Sequence, residues 1–106
     1  MAKYLLQASY TADGAKGLLK DGGSKRLAAA KTLVESLGGK IECMYFAFGQ
    51  VDVVAIVDMP DSASAAAASL TIGASGGLSG KMTVLLTPEE LDRATKKSAK
   101  YTPPGK

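Results

Sequence analysis

The stretch KIECMYFAFGQVDVVAIVDMP, Lys40 to Pro60, decides the fold. Its first half, Ile41 to Phe48, and its second, Val53 to Val57, are rich in β-branched, aromatic and other apolar residues, the composition of strands. Gly49 to Asp52 between them are turn-prone, so the two halves read as an antiparallel hairpin in which Phe48 faces Val53. Side chains alternate across a strand. This register puts Ile41, Cys43, Tyr45, Ala47, Val54 and Ile56 on one face, and Met44, Phe46, Phe48, Val53, Ala55 and Val57 on the other. Both faces are apolar, with polar residues only near the open end at Glu42 and Asp58. An antiparallel sheet with one wet face alternates apolar and polar residues, so this hairpin needs a cover on each side.

Outward from the hairpin toward the N-terminus, Lys3 to Tyr10 (KYLLQASY) reads as a strand with Tyr4, Leu6, Ala8 and Tyr10 on its buried side. Thr11 is placed to cap a helix opening at Ala12, with Asp13 in its first turn and Ala15 and Leu19 on its inner face. Gly22 and Gly23 break that helix. Ser24 then suits the cap of a second segment carrying Leu27, Ala30, Leu33, Val34 and Leu37 at helical spacing, ended by Gly38 and Gly39.

Beyond the hairpin, Asp61 or Ser62 caps a helix of small residues from Ala63 to Ser69, with Leu70 and Ile72 following and Gly73, Gly76 and Gly77 at its end. A last strand is expected at Lys81 to Leu86, a short helix opens at Thr87, Pro88, Glu89 and Glu90, and residues 99–106 read as an extended tail.

The order strand, helix, strand, strand, helix, strand predicts an α+β fold, the ferredoxin-like βαββαβ sandwich. Residues 1–106 would form one domain: a four-stranded antiparallel sheet with its first and third strands central, two helices on one face, and a short C-terminal helix besides. The second apolar face of the hairpin is then bare. Covering even four large apolar side chains is worth roughly 6–12 kcal/mol, comparable with the roughly 5–15 kcal/mol stability of a whole domain. The expectation is therefore a homo-oligomer joined through the open sheet face. The competing arrangement folds the C-terminal helix, with Leu91 and Ala94, back across the sheet.

Composition excludes several chemistries. The chain has no histidine, which removes the usual neutral-pH general base and the commonest ligand of zinc, copper and haem iron. Serine–histidine and cysteine–histidine hydrolases are excluded with it. No metal site and no cofactor are expected. The lone cysteine, Cys43, lies in an apolar run and reads as a small buried hydrophobe. No stretch has the length of a membrane span or the pattern of a signal peptide, so a cytoplasmic location is expected. The net charge of +3 owes much to Lys96, Lys97, Lys100 and Lys106; without these, the 13 basic residues no longer outnumber the 10 acids. Charge carried on a tail argues against a nucleic-acid partner.

The chain resembles the GYD-domain family in KYLLQASYT (Lys3–Thr11), GGSKR (Gly22–Arg26), ESLGG (Glu35–Gly39), FGQVDVVAIVDMPD (Phe48–Asp61) and LLTPEE (Leu85–Glu90). It departs from the glycine, tyrosine, aspartate motif of the family name at Val51, which stands beside Asp52 where tyrosine is expected. The resemblance implies a small bacterial protein of uncharacterised activity, a ferredoxin-like fold near the dimeric α/β barrels, and oligomerisation. It brings no established reaction.

Three groups of residues are candidates for function. In GGSKR, free backbone N–H groups at a helix start stand beside the Ser24 hydroxyl and the charges of Lys25 and Arg26, where a carboxylate or phosphate could dock; a capped restart with solvated charges is the plainer reading. The aromatic residues Tyr4, Tyr10, Tyr45, Phe46 and Phe48 could line a pocket or simply pack. Asp52 could serve as an acid or base, or bond within its own loop, and Asp58 could pair with Arg26 or Lys81. Catalytic residues are not identified. The leading expectation is a homo-oligomer that binds a small anionic or aromatic ligand. Its alternatives are a cofactor-independent enzyme acting on an aromatic or enolisable substrate, with Tyr10, Tyr45 or Asp52 moving protons, and a structural or regulatory module binding only proteins.

Overall fold

A computed structural model describes residues 1–106. In chain order the elements are β1 (Ala2–Tyr10), α1 (Ala12–Asp21), α2 (Gly23–Ser36), β2 (Lys40–Phe46), β3 (Val53–Met59), α3 (Ser62–Ala74), β4 (Leu78–Leu85) and α4 (Pro88–Thr95). The strands form one sheet in the order β2-β3-β1-β4, all neighbours antiparallel, with β1 and β3 central. This is the ferredoxin-like arrangement expected from the sequence. No helix is long and apolar enough to cross a membrane.

The core lies between the sheet and the helices. Tyr4 on β1 and Ala55, Val57 and Met59 on β3 meet Val34 of α2 and Ala65 of α3. Strict alternation along β3 buries Val53, Ala55, Val57 and Met59 and turns Val54, Ile56 and Asp58 to the opposite, open face. Helix α3 approaches the sheet closely because Ala65 and Ala68 are its buried residues, and the Tyr4 hydroxyl hydrogen-bonds Ser62 at its start.

The hairpin differs from its expected register. Phe46, not Phe48, faces Val53, and Ala47 to Asp52 form the loop, closed by Ala47 N–H donating to the Asp52 carbonyl at 2.8 Å. A shift of two residues preserves the faces, so Met44 and Phe46 still turn toward the helices with Val53 and Ala55. A β-bulge between Ile41 and Cys43 then changes the parity, and Ile41 pairs with Val57 and joins the helix side.

Local corrections follow from packing. On α1 the inward residues are Gly14, Gly17 and Leu18; Ala15 is exposed and Leu19 is 86% exposed. Ser24 does not cap α2, because Gly22, with φ 80°, is both the C-cap of α1 and the N-cap of α2. One residue in the left-handed region therefore makes the whole bend, a conformation glycine adopts without steric cost. Strand β4 begins at Leu78, earlier than expected, extended by pairing with Tyr10.

The open face carries Leu5, Val54, Ile56, Cys43, Leu85 and Tyr45, the last 69% exposed. Near its end Lys3 bridges Glu42 at 2.8 Å and Asp58 at 3.0 Å, so Asp58 pairs with neither Arg26 nor Lys81. Helix α4 does not lie across this face. It has no buried residue, and Leu91 is 55% exposed.

Candidate ligand-binding cleft

Helices α2 and α3 sit side by side on the sheet but hardly touch each other. The gap between them is a cleft of about 100 Å³, floored by Ala8, Val53 and Ala55 and walled by Ala30, Leu33 and Ile72. Small residues create it: Ala29 and Ala30 on α2 and Ala68 on α3 leave room that larger side chains would fill. Met44 and Met82 close the ends of the floor from the outer strands. Of its 17 lining residues 16 are hydrophobic, and the exception is Arg26. An apolar enclosure with one oriented polar group is the usual character of a small-molecule site.

Tyr10 and Arg26, with Leu78, also line a neighbouring, more open cavity of about 240 Å³ between α1, α2 and the loop before β4. Its walls include Gly14, Gly17, Asp21 and Ser75. The Arg26 guanidinium lies 3.7 Å from an Asp21 carboxylate oxygen, and Lys25 Nζ lies 3.8 Å from the other. Both are ion-pair separations too long for a hydrogen bond.

The structure brings some of the expected residues together and separates others. Tyr10 and Arg26 meet at the mouth of the cleft. Phe48 and Asp52 lie outside the cleft, in a separate depression with Phe46 and Gly23 that shares Tyr10 and Leu18 with the mouth. Phe48 is fully exposed there. Asp52 bonds β1 rather than only its own loop: its carboxylate accepts from Tyr10 N–H at 2.9 Å, and its N–H donates to the Ala8 carbonyl at 2.9 Å. Ser24 and Lys25 are exposed on the first turn of α2, where no side chain caps the helix. Tyr45 is on the opposite side of the sheet.

Sequence reasoning missed Ala29, Ala30, Leu33, Met44 and Met82 as cleft residues, and Gly17 and Asp21 at the mouth. The alanine runs facing each other from two helices were the available signal. No group of histidine, cysteine or acidic residues is arranged to hold a metal ion.

No curated protein and no solved structure matches the chain. The family model described as the GYD domain matches residues 4–95, taking in the sheet, the cleft and the mouth around Arg26. The chain belongs to the GYD-domain family.

Proposed function

We propose that the protein is a homo-oligomer whose subunits each bind a small anionic or aromatic molecule in the cleft between α2 and α3. The observation that carries this reading is the cleft itself, an apolar space between two helices with a single charged side chain at its edge. Interiors are ordinarily close-packed, so an unfilled apolar space of this size in the middle of the fold supports an occupant.

Assembly is supported by surface area. The chain exposes 7426 Å², against about 5,500 Å² for a compact monomer of its mass. The exposed residues beyond α4 account for part of the excess. The open sheet face, where Tyr45 is 69% exposed beside half-buried Leu5, Val54, Ile56 and Leu85, is the surface at which a second copy would pair, because an apolar sheet face that matches itself favours a closed pair.

Native mass spectrometry of freshly purified protein tests both parts. The expected spectrum shows more than one subunit with a retained small molecule, the molecule lost in Arg26→Ala and the assembly lost in Ile56→Asp. A lone subunit that retains nothing would overturn the reading.

A further inference from the structure

The cleft and its mouth adjoin through Tyr10, Arg26 and Leu78, so they form one groove with a dry end and a more open end where the charges of Arg26 and Asp21 lie. Arg26 stands at the junction. Its guanidinium makes no hydrogen bond within the protein, its nearest acidic partner being Asp21 at 3.7 Å. A planar fork of five donors, its side chain 35% exposed, thus stands at the groove with no protein acceptor of its own. Asp21 is already faced by Lys25, so the group Asp21, Lys25 and Arg26 carries one net positive charge. That balance suits one monovalent anion.

Gly17 adds an independent observation. Glycine inside a helix costs about 1 kcal/mol relative to alanine. Nothing lies within 4 Å of where a Gly17 Cβ would stand, so no neighbouring contact requires its absence. What the missing side chain leaves open is the wall of the mouth. Gly14, by contrast, is required by the close approach of the Gly77 carbonyl.

We propose that the groove binds an amphipathic monocarboxylate, its single ring or short aliphatic chain lying between α2 and α3 and its carboxylate held by Arg26 in the mouth beside Gly17. The dry end, at about 100 Å³, suits a body of that size. A carboxylate matches the guanidinium fork in two parallel hydrogen bonds. This inference rests on the cleft being a small-molecule site and narrows it to one ligand class.

The test compares 3-phenylpropionate with the uncharged 3-phenyl-1-propanol, following the methionine methyl resonances by NMR. Met44 and Met82 line the cleft, while exposed Met1 serves as an internal control. Both probes should move Met44 and Met82 and leave Met1 in place, with the carboxylate bound at least tenfold more tightly. Arg26→Gln should abolish that preference, and Gly17→Leu should weaken the carboxylate by a similar factor. Equal affinities, a preference that survives Arg26→Gln, or an unaffected Gly17→Leu would each overturn the monocarboxylate assignment, although binding of the alcohol would leave the small-molecule reading standing. If neither probe moves Met44 or Met82, both fall.

Discussion

Gly14 and Thr11 lock the start of α1 to the loop before β4. The Thr11 hydroxyl accepts from Gly14 N–H at 3.1 Å and donates to the Gly76 carbonyl at 2.8 Å, while Thr11 N–H donates to the Gly77 carbonyl at 3.0 Å. A Cβ on Gly14 would run into that Gly77 carbonyl, which belongs to the backbone and cannot rotate away. Gly14→Ala is therefore expected to destabilise by about 1–3 kcal/mol despite alanine's better helix propensity. Gly17→Ala, three residues on, should raise stability by up to about 1 kcal/mol, since its Cβ enters open space. Urea titrations of the two variants check the contrast, and destabilisation by both would remove Gly17 as a residue kept for space. The sequence shows these glycines as a pair in one helix, but only the position of Gly77 separates their roles.

Among the elements, β2 shows where one-dimensional pattern stops being informative. Its apolar residues identify a strand and its pairing with β3, but a single extra residue at Glu42 moves Ile41 to the helix side, and a two-state alternation cannot register that. Helix starts were more legible because capping is local. Asp61 caps α3 through Ser64 N–H at 2.7 Å, and Thr87 and Glu90 make a reciprocal box at the start of α4. The Ser64 backbone N–H, then its hydroxyl, hold Asp61 below its ordinary 3.8, and the Thr87 backbone N–H, then its hydroxyl, with lesser help from Arg93, hold Glu90 below 4.5. A lowered carboxylate pKa gives stability that is present above the unfolded value and lost as pH falls through the folded one. The two losses should be distinguishable by circular dichroism between pH 7 and pH 2. Asp61 sits on a helix packed into the core, so its protonation should lower the melting temperature, and Asp61→Ala should flatten that acid dependence. Glu90 sits on a helix without buried residues, so its protonation should reduce helicity with little change in melting temperature. An unchanged acid slope in Asp61→Ala would refute the first assignment. Lys3 works in the opposite direction: bonds to Glu42, then Asp58, raise it above 10.5, so its contribution is complete below 10.5 and lost as pH climbs through the raised value.

As a whole, the molecule is longer than its residue count requires. Its radius of gyration is 16.9 Å, against about 13 Å for a compact chain of this length, and its longest extent is 56 Å. Helix α4 and the exposed residues after it carry that length without entering the core. Removing residues 87–106 should therefore leave the melting temperature within a few degrees of the full chain, checked by calorimetry. A collapse in stability would show that this segment is a structural member. The sequence made the sheet and its bare side legible, because strand pattern and element order determine them. It named Arg26 and Tyr10 but could not show the cleft beside them, which depends on how far apart two helices come to rest. That gap has a further consequence. Unfolding eliminates internal void and so reduces volume, ordinarily by about 20–100 mL/mol, and hydrostatic compression drives such a change. With about 100 Å³ of apolar void beneath its helices, the chain should yield to pressure readily when empty and resist it once the void is filled.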